Sequence, residues 1–352
     1  MFSRNERYFL FLLFLMVFLA VFGWRQYRLT QSAAVVPSQP TELLLFASTN
    51  LAELAQQLDS LNVAIDKDEL LWAGRVLGWR TFRSGRYELN EPHSYGALFS
   101  KLARGLQDPG RVTVLPGSDV GRLSQQLARQ LRADSAAFAI QFTDSSDAAV
   151  ELGLTGEELF SRMLPNTYEM YWTSAPSAVI RRLANEFNRA ITQPYAGAIE
   201  ESPFSLQEIV TLASIVEWEA RLAEEKPRIS GLYLNRLDRG MRLQADPTVL
   251  YALGERRRVL FEDYQYDHPY NTYMHDGLPP GPITNPDGAS IRAVLFPEDH
   301  NYLYMVAAPD GSHVFSRTFE EHRRASDEWR RWLREQIRIR DQREREAEGT
   351  ME

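Results

Sequence analysis

The chain has no cysteine among its 352 residues. That absence removes disulfides, thiolate nucleophiles, iron–sulfur clusters and Cys-ligated zinc together. Lysine is nearly as scarce: it occurs only as Lys67, Lys101 and Lys226, and the other basic residues are arginine. Any lysine-dependent chemistry therefore has three candidates. Positive charge is also in deficit, with 39 basic against 47 acidic residues and a net charge of −8. A nucleic-acid partner, which calls for a basic surplus, is not expected. No HExxH or similarly spaced metal pair occurs, so no metal is expected either. The remaining composition, 44% apolar and 24% charged, is that of a globular chain rather than a disordered or collagen-like one. The length exceeds one typical domain, so two folded units with accessories are expected.

What is present begins with an apolar run. No charge falls between Arg7 and Arg25, and residues 8–24 are dominated by Phe and Leu. Such a run reaches about 25 Å as a helix, at the short end of the bilayer-spanning range. It lacks the polar face of a core helix, and the residues after it (Gly23, Trp24, Arg25) do not resemble a cleavage site. A single-pass anchor at 8–24 is the expectation. Flanking positives balance, with Arg4 and Arg7 before and Arg25 and Arg28 after. A short head at 1–7 is easily kept in the cytoplasm, which leaves the remainder on the extracytoplasmic side of the inner membrane. Residues 25–40, ending in QSAAVVPSQP, read as a linker.

Two later segments look alike. TNL at 49–51 with LAQQL at 54–58 parallels SDV at 118–120 with LSQQL at 123–127. Each follows an apolar strand-like run (43–46 and 112–115) and carries a capping residue before apolar positions at helical spacing. A duplicated strand–helix unit within a small α+β module at 41–150 is predicted, with a further strand at 84–89 and a helix at 95–102. Nothing in it has the spacing of a catalytic constellation.

The most informative segment is SLQEIVTLASIVEWEARL at 205–222. Ser205 followed by Glu208 is a capping box, which marks a helix start. At about 100° per residue, Leu206, Val210 and Ala213 share a face with Glu217, while Glu208 and Glu219 point nearly the opposite way. A carboxylate facing an apolar stripe is costly when ionised, so its pKa should rise and it could serve as a general acid. The alternative for Glu217 is a structural glutamate paired with Arg236 or Arg242. Downstream loops (RLQADPT at 242–248, PYNTY at 269–273, GLPPGPI at 277–283) are rich in amides, hydroxyls and tyrosines. That chemistry suits a neutral, hydroxyl-rich ligand such as a sugar, although such loops more often simply turn the chain.

These residues, taken in order, resemble the YceG-like endolytic murein transglycosylase family. The likeness is carried by LASIVE at 212–217, LNRL at 234–237, LQADPT at 243–248, YNTY at 270–273 and GLPPGPI at 277–283. It extends from the anchor to about residue 325. LPNTY at 164–168 and LPG at 115–117 depart from the family's usual residues there. The resemblance implies a LysM-like module at 41–150, a transglycosylase domain at 151–325 and no cofactor. It implies cleavage of β-1,4 bonds between MurNAc and GlcNAc in nascent peptidoglycan strands, leaving 1,6-anhydro-MurNAc ends. Glu217 aligns with a motif glutamate as acid and then base, and Asn235, Gln244, Asp246, Asn271 and Tyr273 are the candidates for orienting the glycan. Family members also associate with peptidoglycan synthases (penicillin-binding proteins).

Three other readings compete. The chain could be a non-catalytic peptidoglycan-binding scaffold, separable by a turnover assay. A pyridoxal-phosphate lyase would need a Schiff-base lysine, yet Lys226 lies in EEKP, a solvated-looking turn. A metal hydrolase would have to draw on His268, His275, His300 and His313, which are scattered. The last segment, 326–352 within an Arg- and Glu-rich stretch, reads as a charged helix or tail whose tryptophans pack on the catalytic domain.

Overall fold

The computed structural model describes residues 4–349, so residues 1–3 of the expected head and 350–352 of the tail lie outside it. The apolar run forms the core of a 27-residue helix, Arg4–Thr30, with a mean hydropathy of 2.1 in its most apolar stretch and no part of that stretch covered by protein. At 1.5 Å per residue the helix is about 40 Å long, enough to cross a bilayer and leave polar ends at the interfaces.

The contacts divide the chain into two compact units. The first is Met1–Val112 with Gln130–Arg132 and Tyr168–Ser174; the second is Thr113–Arg129, Ala133–Thr167 and Ala175–Glu352.

In the first unit, Thr41–Leu45 pairs antiparallel with Gly85–Leu89, placing Leu43 opposite Tyr87. Leu43, Leu45, Tyr87 and Leu89 are all buried, as the two-residue strand period requires. Between these strands run helices Leu51–Ser60 and Lys67–Leu77. Asn50 and Glu53 form a capping box on the first, and Gly78 ends the second in the left-handed region, φ 76°. The expected linker at 25–40 is built into this core. The first helix continues to Thr30, Leu29 is buried, and Val35–Pro37 pairs with Val63–Ile65 with Val35 fully covered. Prolines suggested a linker there, but a two-stranded pairing leaves each strand one open edge, where a missing N–H is tolerated.

Both strand–helix repeats form, as Thr41–Leu45 with Leu51–Ser60 and as Gly110–Val114 with Val120–Gln130. They do not build one module ending at 150. The second repeat enters the second unit at Thr113, where Ser118 N–H and the Leu115 carbonyl are bound by the Asn285 side chain at 2.8 and 3.1 Å. Helical periodicity shows that a face is buried, not which element buries it.

The second unit is organised around helix Leu206–Glu219. Ser205 and Glu208 make the expected reciprocal cap, and residues 209–216 are buried on every side. A helix apolar all round belongs at the centre of a domain. Helices Lys226–Asp238, Asp246–Leu253 and Gly288–Leu295 pack around it. It stops at Ala220, which turns to extended geometry at φ −76° and ψ 112°, short of the expected 222. A hairpin, Tyr304–Ala307 with His313–Ser316, follows. The final helix Phe319–Gly349 lays its first turns on that hairpin, and Trp329 and Trp332 stack on each other at 4.8 Å, half-buried. The chain is a mixed α+β protein with an N-terminal apolar helix.

Candidate active site

The six residues singled out from sequence do not form one cluster. Glu217 sits among polar partners instead of in an apolar stripe: its Oε2 accepts from Lys226 Nζ at 3.1 Å, Ser290 Oγ at 2.7 Å and the Asp287 N–H at 3.2 Å. Its partner is therefore neither Arg236 nor Arg242. Lys226, expected in a solvated turn, is only 6% exposed and also holds Asp287 Oδ2 at 2.9 Å. Lys226, Asp287 and Ser290 were all missed; the buried faces of their own helices were the available signal.

Asn235 donates to the carbonyls of His300 and Tyr302, at 2.7 and 3.2 Å. Asn271, fully buried, donates to the carbonyls of Tyr264 and Tyr266 at 3.2 and 2.8 Å. Both side-chain amide N–H groups are spent on shaping loops, and neither residue lines the cleft at Glu219.

Gln244, Asp246 and Tyr273 do come together, and the glutamate they meet is Glu219. They line a cleft of about 580 Å³ with Tyr264, Arg236 and Tyr304. Three features set its chemistry. Tyr273 Oη donates to Asp246 Oδ1 at 2.7 Å, and the Tyr264 and Tyr273 rings lie 4.3 Å apart, giving an aromatic wall with a fixed carboxylate. Gln244 has φ 51°, a left-handed conformation that a non-glycine side chain rarely adopts without a local reason. Its N–H meets the Thr272 carbonyl at 3.2 Å and the next N–H, of Ala245, meets Thr272 Oγ1 at 3.0 Å, so two bonds hold the turn. Arg236 forms part of the floor, donating to the carbonyls of Leu303 and Leu243, each at 2.6 Å.

Glu219 reaches the surface in part, but its carboxyl is packed at the base of this cleft. Loss of water is the main cause that pushes its pKa up to about 7, and the Asp246 charge adds to the rise; a hydrogen bond from Tyr233 and the Arg236 charge oppose it. The Tyr233 Oη lies 3.2 Å from Glu219 Oε1. A carboxyl of this kind keeps its proton near neutral pH and can give it up and take it back, which is the requirement for general acid–base work. The helical wheel was right that Glu217 and Glu219 face opposite ways. It could not tell which face carries the cleft.

The histidines are separate. His275 pairs with Asp267 at 2.9 Å, His300 with the Arg228 carbonyl at 2.9 Å and His313 with Glu225 at 2.8 Å, while His268 lies between Tyr266 and Tyr270.

Fold and cleft define an α+β protein in which a carboxyl, Glu219, lies in a cleft shared with tyrosines, Gln244 and Asp246. The YceG-like family model matches residues 46–328, and the chain belongs to that family. It is 27% identical over 299 residues to an endolytic murein transglycosylase of Bacillus subtilis, spanning 80% of this chain and 83% of that one. It is 25% identical over 310 residues to an endolytic murein transglycosylase of Streptococcus pneumoniae, spanning 78% of this chain and 56% of that protein. A crystal structure of a YceG-like protein from Listeria monocytogenes shares the fold with a TM-score of 0.59 at 26% identity, covering 81% of this chain and 98% of that one.

Proposed function

We propose that this chain is a lytic transglycosylase that cuts β-1,4 bonds between MurNAc and GlcNAc within peptidoglycan strands and leaves 1,6-anhydro-MurNAc ends. The names of its Bacillus and Streptococcus relatives support the reaction class. The observation that carries the chemistry is the Glu219 carboxyl, raised to about 7 in a cleft shared with Asp246 and Tyr273. We take Glu219, not Glu217, as the proton carrier, because Glu217 is tied to Lys226 and Ser290 and does not line this cleft.

Protonated Glu219 gives its proton to the glycosidic oxygen. The C1–O4 bond breaks with its electron pair going to the leaving GlcNAc, and positive charge develops at C1 of MurNAc. The Asp246 carboxylate, held by Tyr273, stabilises that charge. The C6 hydroxyl of the same sugar attacks C1 and returns its proton to Glu219. Glycosidases that use water need a second carboxyl as base or nucleophile; here O6 replaces water, so one carboxyl serves both proton transfers.

In this reading the first helix tethers the protein to the inner membrane with the second unit outside. The first unit, with its strand–helix–helix–strand core, serves as the LysM-like glycan-recognition part, and synthases that make the nascent strand are the natural partners. The test is mass analysis of products from purified glycan strands. Wild-type protein should release anhydro ends and Glu219→Gln none. Reducing ends, or an active Glu219→Gln protein, would overturn the reading.

A further inference from the structure

We propose that His313, gripped by Glu225, is a sugar-binding residue of the Glu219 cleft that orients a glycan hydroxyl through Nε2. The proposal rests on the reading that the cleft holds a glycan. His313 opens the second strand of the hairpin His313–Ser316 and lines the cleft together with Glu219, Gln244 and Tyr304.

Glu225 takes hold of it at two points. The His313 N–H donates to Glu225 Oε1 at 2.8 Å, and the ring Nδ1 lies 2.8 Å from Oε2. Glu225 is 7% exposed, and a carboxylate so buried is costly unless paired. Both of its hydrogen bonds come from His313, so the glutamate and the imidazole are arranged for each other. A carboxylate on Nδ1 fixes the tautomer with the proton at Nδ1. Nε2 is then the nitrogen left to meet a ligand, and in the neutral ring it is an acceptor. A sugar, with hydroxyls to donate and apolar C–H faces to bury, fits a cleft whose wall mixes tyrosines, Gln244 and Asp246 with apolar side chains such as Met305 and Phe319. Support of the hairpin alone would need the backbone bond to Glu225 and no ring on the cleft wall.

The experiment uses the full chain in detergent. In a Glu219→Gln background, which removes turnover, affinity for purified glycan strands is measured with His313 intact and as His313→Phe, which keeps the ring's bulk without its nitrogens. The expected loss is tenfold or more. In the otherwise native protein the same change should raise KM more than it lowers kcat. His313→Gln, whose amide restores an acceptor near Nε2, should recover part of the affinity, and Glu225→Gln, which weakens the grip, should fall between. Native affinity and KM in a folded His313→Phe protein overturn the proposal, as does His313→Gln binding no better than His313→Phe. If His313→Phe fails to fold, the His313→Gln and Glu225→Gln affinities decide, and wild-type binding by both overturns it. Cleavage surviving Glu219→Gln would instead sink the acid–base assignment, and the affinity comparison would stand apart from it.

Discussion

Lys226 Nζ lies 3.1 Å from Glu217 Oε2 and 2.9 Å from Asp287 Oδ2, in a residue only 6% exposed. One ammonium therefore bridges two carboxylates, one on the central helix and one capping helix Gly288–Leu295. Asp287 makes that cap through Ser290 N–H at 2.7 Å. The three helices are joined close to Glu219, at the end of the central helix.

Removing that ammonium should be costly. Lys226→Met would leave two carboxylates side by side with little water, and breaking a buried pair from one side costs about 3–5 kcal/mol. Asp287 is a third exposed, so the lower end is expected. Urea unfolding measures it, and a loss below about 1 kcal/mol would mean the cluster is hydrated and slack.

The pH profile should respond to two neighbours in opposite directions. Asp246 raises the Glu219 pKa and Tyr233 lowers it. Asp246→Asn should move the basic limb of kcat to lower pH, and Tyr233→Phe should move it higher. Rate profiles of the two variants settle this, and shifts of the same sign would contradict the assignment.

Glu219 should also cost stability at neutral and higher pH. Its folded pKa of about 7 lies above the ordinary 4.5, so the folded state holds the proton more tightly. The associated stability is complete below the ordinary value and is lost as pH rises through the folded one, at about 1.4 kcal/mol per pH unit across that interval. Glu219→Gln should therefore gain on the parent between acid and mildly basic pH, by up to about 3 kcal/mol. Thermal melts across that range are the check; parallel curves would exclude a raised pKa.

Val35 tests the supposed linker. It is fully buried and paired opposite Ile65. Val35→Asp should destabilise by about 3 kcal/mol or more, the range for an unpaired charge in a core. A tolerated substitution would restore the linker reading.

Local signals were legible because their physics is local. The Ser205–Glu208 cap, the central helix and the apolar first helix follow from side chains within a few residues of one another. What Asn235 and Asn271 bind was not legible, for the opposite reason. An amide in a loop looks the same whether it meets a ligand or distant carbonyls, and here it meets the carbonyls of Tyr302 and Tyr266.

The missing cysteines and three lysines narrowed the available chemistry before any fold was known, and the wheel separated Glu217 from Glu219 by angle alone. Only tertiary structure placed Glu219 in the cleft with Asp246 and Tyr273. Burial, the bonds of Glu217 to Lys226 and Ser290 and the desolvation of Glu219 all come from other helices and loops, some of them about seventy residues away in the chain. A pKa is set by whatever surrounds a group in space, and a single helix cannot specify that.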